Sequence, residues 1–273
     1  MNLSRSSFYY TPGKKRPANP DQALKKAVEA ICLEYSRYGY RRVTAQLHRQ
    51  GWEVNHKKVL KIMRANDLLC RPRKRRWVRT TDSNHPFPLY PNLMKDCPLT
   101  TINQAWVADI TYIRLVSSFV YLAVLMDAYS RKIIGYAVSP SLQARLTLEA
   151  LEMALIQRRP PSGCIHHSDR GVQYASWEYV QKLKEHHLQI SMSRRGNPYD
   201  NAMAESFMKT LKNEDVYLWE YRTMKDTQQR LPYFIEEVYN QKRLHSSLGY
   251  RPPNEFEAIS SQTLNTLFPC PSL

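Results

Sequence analysis

Three acidic residues stand where solvation alone does not account for an acid. Asp109 lies in the middle of an apolar run, WVADITYI (106–113). Asp169 closes the short run CIHHSD (164–169), immediately before Arg170-Gly171. Glu205 lies in DNAMAESFMKTLKNE (200–214), with 35 residues between it and Asp169. Alternation along a strand puts Val107, Asp109 and Thr111 on one face. A carboxylate in mid-strand costs desolvation free energy unless it is paired or holds a cation. If the strands carrying Asp109 and Asp169 are neighbours, the two acids come within a few Å. Like charges at that separation repel unless a cation lies between them, and hard oxygen donors select Mg²⁺ or Mn²⁺. Taken singly, each acid has a plainer reading: an arginine partner for Asp109, a turn for Asp169, a solvated surface for Glu205. Asp127 also closes an apolar strand and is assigned to structure only. The signal lies in the three together.

Neighbours of the acids extend the pattern. At ~100° per residue, Asn201, Lys209 and Lys212 lie at roughly −40°, +40° and −20° from Glu205 on a helical wheel. One stripe then carries a carboxylate between lysines, which suits a metal site beside a phosphate track, with Asn201, Lys209 and Lys212 as expected DNA contacts. The plainer reading is a Glu–Lys pair one turn apart, worth a few tenths of a kcal/mol. It covers Lys209 and leaves Lys212 and Asn201 unexplained. His167, two residues before Asp169, either contacts a phosphate or water or packs within its strand.

The elements that must position these groups follow from periodicity. Segments 105–115, 119–127 and 132–138 read as three strands with short connections, an antiparallel meander. A helix over about 142–158, a strand at 164–169, a helix from the cap Ser176 to about His187, a strand at 188–193 and a helix from near Asp200 follow. The order β-β-β-α-β-α-β-α is an α/β, ribonuclease H-like mixed sheet with its first and fourth strands side by side in the middle.

A small all-α, helix-turn-helix-like domain is expected ahead of that core. Leu24, Val28, Ile31 and Tyr35 mark a first helix, Val43 and Leu47 a second, and Val59, Ile62 and Met63 a third after the cap Asn55. The third exposes His56, Lys57, Lys58, Lys61 and Arg64. Residues 1–80 hold 20 Lys/Arg against 5 Asp/Glu, whereas residues 81–273 hold 20 against 19. Such segregation points to a polyanion partner. The run RPRKRRWVR (71–79), with Arg73, Lys74, Arg75 and Arg76, repels itself and reads as a basic linker. Trp77 within it either stacks on a base or packs on a neighbouring domain.

Other classes are excluded. No apolar run reaches the ~18–20 residues of a membrane helix, and MNLSRSSFYY has no signal-peptide core. The five cysteines are widely spaced and form no CxxC, so neither a disulfide framework nor a zinc finger is indicated. A reducing cytoplasm fits, with the chain on the nucleoid when bound to DNA.

WVADITYI, HHSDRGVQY and the Asp169–Glu205 spacing resemble the DDE catalytic core of transposases and retroviral integrases. DNAMAESFMKTLKNE and YNQKRLHSSLGYRPP (239–253) are more specific. With YGYRR (38–42), they resemble the second-reading-frame product of bacterial insertion sequences of family three, from about residue 3 to 258. The resemblance implies DNA transposition and integration by a metal-dependent polynucleotidyl transferase. Water frees a 3′-OH at the element end, and that 3′-OH attacks a second phosphodiester. Asp109, Asp169 and Glu205 would be catalytic and hold Mg²⁺ (Mn²⁺ substituting), two ions roughly 3.5–4 Å apart. Lys212 would contact the element end. The resemblance also implies homo-oligomers on element-end and target DNA, and an upstream-frame protein or a frameshift fusion with it. Expected boundaries are an arm (1–20), the helical domain (21–70), the linker (71–100), the core (101–258) and a tail (259–273). A repressor using residues 21–79 alone leaves the acids unexplained. A ribonuclease H-type nuclease does not need the domain ahead of the core.

Overall fold

The computed structural model describes residues 20–70, 87–95, 97–194 and 198–267. The arm and the basic run with Arg73, Lys74, Arg75, Arg76 and Trp77 lie outside the described residues. Two compact units emerge, Met1–Arg73 and Lys74–Leu273.

The first unit holds α1 (Pro20–Glu34), α2 (Tyr40–Arg49) and α3 (His56–Ala65). Their apolar stripes meet in a core of Leu24, Val28, Ile31, Val43, Leu47, Val59 and Met63. Tyr35 falls just past α1 and stacks on the buried Tyr38, with ring centroids 4.5 Å apart. After α2 the chain turns at Gly51, whose φ of +85° lies in the left-handed region that favours glycine. Asn55 then caps α3, its Oδ1 accepting the Lys57 N–H at 2.8 Å. His56, Lys57, Lys58, Lys61 and Arg64 are all exposed on α3.

The second unit is built on a five-stranded sheet of order β3-β2-β1-β4-β5. Its strands are β1 (Ala105–Arg114), β2 (Phe119–Asp127), β3 (Ile133–Ser139), β4 (Ile165–Ser168) and β5 (Gln189–Met192). The meander β1–β2–β3 is antiparallel, whereas β4 pairs in parallel with both β1 and β5. Both faces are covered, which is why β2 is nearly continuous in apolar residues. On one face, Trp106, Ala108, Leu125 and Ile134 pack under α4 (Ala144–Arg158) and α6 (Trp177–Glu185). A four-residue helix, α5 (Val172–Ala175), precedes α6. On the other face, Val107, Ile113, Leu122 and Val124 pack under α7 (Ala202–Leu211), which contributes Ala204, Phe207, Met208 and Leu211. The sheet order and the helices on both faces are the ribonuclease H-like arrangement, with β1 at the centre.

Contact between α4 and β3 is close. A Cβ at Gly135 would lie 2.2 Å from the Ala150 carbonyl oxygen and 2.9 Å from Ala154 Cβ. Beyond α7 the backbone widens into a π turn, Lys212–Val216, followed by α8 (Met224–Tyr233), a second π turn (Phe234–Asn240) and α9 (Pro253–Leu267).

Three expectations are corrected. From residue 87 the segment assigned to the linker belongs to the core unit: Leu93, Met94, Cys97 and Leu99 pack on its apolar face, and Leu93 N–H donates to Ser191 Oγ at 2.8 Å. Its apolar residues are too irregularly spaced to read as an element. The segment from 259 does not begin as an irregular tail, because α9 runs across the expected boundary to Leu267. Ser176 occupies the cap position of α6, but its hydroxyl donates backwards to the Gln173 carbonyl at 3.0 Å and caps nothing.

Candidate active site

The register between β1 and β4 pairs Val107 with His167. Carried two residues on, it sets Asp109 beside Asp169 on the sheet face that α7 covers. Glu205 stands in the first turn of α7. The three elements therefore converge as the topology requires: a central strand, its parallel neighbour and the helix packed across both.

Electrostatics bind the three acids into one group. Burial pushes the Asp109 carboxyl up to about 8, and the charge of Asp169 and, more weakly, that of Glu205 push in the same direction. The Ile110 N–H, 2.9 Å from Asp109 Oδ1, and the Lys212 ammonium pull the other way without compensating. Asp169 is oriented by the Gly171 N–H, which donates to its Oδ1 at 2.9 Å. A Cβ at Gly171 would press on that same oxygen at 3.0 Å, so the bare glycine leaves the carboxylate its place.

An uncompensated set of hard oxygen donors fits a hard divalent cation in kind. As the side chains stand, however, no three His, Cys, Asp or Glu among the described residues form a group that could hold a metal ion. The acids share a field and a face, and a cation would have to draw the carboxylates together.

The helical stripe through Glu205 divides. Lys209 is exposed beside it. Lys212 is half-buried, with its Nζ 4.8 Å from the centroid of the Tyr112 ring, and burial lowers its pKa while Asp109 raises it. Asn201 is buried and precedes the helix, donating from Nδ2 to the Ala108 carbonyl of β1 at 3.0 Å. This corrects the expectation of a DNA contact at Asn201, because a side chain enclosed between α7 and β1 presents nothing to a duplex.

His167 is resolved in favour of packing. Its Nδ1 lies 2.8 Å from Ser191 Oγ and its Nε2 3.0 Å from Ser193 Oγ. It is fully buried, and burial pushes its pKa down to about 4, so it is neutral and both ring nitrogens are engaged. A phosphate contact from this residue is not available in that geometry. Asp127 is structural as expected, its Oδ1 accepting from the Tyr129 and Ser130 N–H groups and its Oδ2 from that of Asn103.

One supporting pair escaped sequence reasoning. Arg243 grips Glu214 with two bonds of 2.7 Å, both side chains largely buried. This anchors the π turn that begins at Lys212. Nearby, Asn240 brackets Ile133, donating to its carbonyl at 2.9 Å and accepting its N–H at 3.0 Å. Both residues lie in the segment 239–253, and an isolated Arg in a polar run gives no sign of its partner.

On the helical unit, Lys57, Lys61 and Arg64 present charge to solvent, whereas Lys58 is engaged with Asp21 at 2.6 Å. Exchanging Lys57, Lys61 and Arg64 together for Ala is expected to flatten the plot of log K against log salt for duplex DNA. The slope should change by about 0.9 for each phosphate that is no longer neutralised. Lys58→Ala alone should change it less. Titration of the full chain by fluorescence anisotropy checks this, and an unchanged slope in the triple variant removes α3 from the DNA surface.

Residues 100–198 match the integrase core domain family, and residues 186–253 match a second description of the same domain. Residues 20–76 match an HTH-like domain. The chain is 37% identical over 262 residues to the insertion element IS600 uncharacterized 31 kDa protein of Shigella sonnei, covering 94% of this chain and 95% of that one. It is 34% identical over 263 residues to the transposase InsF for insertion sequence IS3A of Escherichia coli K12, covering 94% and 91%. Among solved structures, the intasome of simian T-cell lymphotropic virus contains a chain with a TM-score of 0.48 at 15% identity, covering 85% of this chain and 74% of that one.

Proposed function

Because the chain belongs to the insertion-sequence transposases of the IS3 type, we propose that Asp109, Asp169 and Glu205 form its DNA strand-cleavage and strand-transfer site. The observation that carries the assignment is the convergence of the three acids, from the central strand, the end of its parallel neighbour and the first turn of α7, close enough that Asp169 and Glu205 both raise the Asp109 carboxyl. A buried acid with a purely structural role is expected to have matching donors, as Asp215 in the π turn has in Arg230 at 2.8 Å and Asp127 has in three backbone N–H groups. Asp109 has Lys212 only within electrostatic reach.

The three carboxylates would hold Mg²⁺ or Mn²⁺, two ions per site. When bound, these supply Lewis-acid stabilisation of charge on the attacking and leaving oxygens. The chain's own groups perform the remaining work. Asp109, on the central strand, fixes the site to the rigid sheet. Gly171 holds Asp169 in one orientation. The arm of α7 brings Glu205 across the face, and the Glu214–Arg243 pair holds the turn from which Lys212 reaches in. Lys212 holds an ammonium against the Tyr112 ring and within the field of Asp109, where a phosphate next to the scissile bond would meet it. Lys209 extends the positive track outward. In the first step water cuts one strand, the P–O3′ bond breaks and a 3′-OH is freed. In the second step that 3′-OH attacks another phosphodiester, forming a new P–O bond and releasing the displaced 3′ oxygen. No covalent protein intermediate is required.

Binding by the helical unit would place element ends and target DNA at this site, and assembly into homo-oligomers on DNA would bring two ends together. An upstream-frame protein or fusion would be a further partner.

Single-turnover cleavage of element-end DNA with Mg²⁺ tests the reading. Wild type should cut and join only with a divalent ion present. Lys212→Ala should fall on the order of 100-fold in cleavage, the scale of losing one preorganised charge donor. Its stability should drop by no more than about 1 kcal/mol, the worth of the ring contact. Lys212→Arg should retain partial activity. Unchanged cleavage by folded Lys212→Ala would return this lysine to a packing role.

A further inference from the structure

Asn201 combines three features that a capping residue does not. It occupies the cap position of α7 yet makes no capping bond, although an asparagine there ordinarily accepts an N–H from the first turn. Its Nδ2 instead crosses to the sheet and donates to the carbonyl of Ala108, the residue immediately before Asp109. Its Oδ1 is buried and has no hydrogen-bond partner. The Ala108 carbonyl fixes the orientation of the amide, because exchanging its ends would turn an oxygen towards an oxygen.

A purely structural tether would be better made by other means. A buried carbonyl oxygen without a donor costs about 1–3 kcal/mol. An orphaned group of this kind calls for an explanation such as strain, a catalytic role or a bound water or ion. What Asn201 ties together is also specific: one end of the tether is the backbone that sets Asp109, and the other is the first turn of α7, which carries Glu205.

We propose that Asn201 is a positioning residue of the phosphoryl-transfer site. Its amide locks the start of α7 to β1 so that Glu205 can close on a cation opposite Asp109. Its unmatched oxygen receives a donor when the site is loaded. This rests on the assignment of the three acids above. It accounts for two facts together: the acids share one field, and their side chains are not yet gathered into a metal-holding group. Closing the group then needs only the acid side chains to turn towards a cation, because Asn201 keeps the start of α7 in place from the β1 side.

The test is isothermal titration of Mg²⁺ and Mn²⁺ into the full chain without DNA, beside thermal melting of each variant. Wild type should bind. Asn201→Ala should stay folded and bind about 10–100-fold more weakly, the range for losing a group that orients a ligand. Asn201→Ser, whose hydroxyl is too short to reach Ala108, should behave like Asn201→Ala. Hydrogen exchange of the first-turn amides of α7 should slow on metal addition in wild type and not in the variants. Equal affinity in wild type and a folded Asn201 variant would overturn the proposal, even with a lowered melting temperature. Failure of wild type to bind either ion would instead overturn the assignment of the acids.

Discussion

Asp109→Asn should abolish strand cleavage and joining and, in the absence of divalent ions, make the protein more stable. The first effect follows from removing a ligand charge at nearly constant shape, and Asp169→Asn and Glu205→Gln should share it. The second follows from the raised carboxyl. With a folded pKa of about 8 against 3.8 for the free group, the native state holds its proton more tightly than the unfolded chain. Stability from this group is therefore full below the unfolded value and is lost as pH rises towards 8. At neutral pH the loss approaches about 4 kcal/mol as an upper bound, at 1.36 kcal/mol per pH unit. Asn carries no charge and avoids it. Melting curves from pH 4 to 8, without and with Mg²⁺, check this. Wild type should lose stability across that window more steeply than Asp109→Asn, and Mg²⁺ should restore wild type only. An Asp109→Asn protein that melts below wild type at pH 7.5, or that still joins strands, would sink the account. Gains in stability from removing a functional charge are the expected trade at such a site.

Gly135→Ala should be among the most damaging single substitutions away from the acids. Its Cβ would be placed 2.2 Å from a helix backbone oxygen, which no side-chain rotation can relieve. Either α4 lifts off β3 or the strand bends, and overpacking of this kind costs about 3 kcal/mol. In a unit of this size that lowers the melting temperature by about 6–12 °C. Differential scanning calorimetry of the purified variant measures it. Melting within a degree or two of wild type would show that the contact yields easily. Cleavage measured well below the melting point should change little, since α4 lies on the sheet face opposite α7.

Much of the core was legible because its sheet is buried on both faces. β2 shows as one unbroken apolar run, and β1 shows as a run interrupted by a single acid, Asp109. The adjacency of β1 and β4 followed from element order alone. Asn201 departs from the helical wheel for a local reason. It lies in a 3-10 turn, with φ −118° and ψ 26°, ahead of the helix that carries Glu205, so a continuous helical wheel does not hold there. Lys212 sits where α7 gives way to a π turn, so its real surroundings, a tyrosine ring and a buried carboxyl, were invisible to an ideal helix. His167 was undecidable in principle, since its partners Ser191 and Ser193 lie on the next strand and beyond. The segment 87–99 was assigned to the linker because burial of Leu93 and Met94 depends on neighbours far along the chain.

The parallel pairing of β1 with β4 also dictates the order in which the molecule can be made. β1, β2 and β3 are joined by short turns, so they can pair as soon as they exist. Joining Ala105 to Ile165 closes a loop of about 60 residues, which must be ordered before any contact rewards it. Glu205 arrives later still, on a helix whose buried residues rest on strands already paired, and the turn beyond it waits for Arg243. A chain emerging from the ribosome therefore has a sheet long before it has a site. Its three acids are brought together only when nearly all of the core has been synthesised, so an incomplete product carries Asp109 and Asp169 without the helix that sets Glu205 across from them.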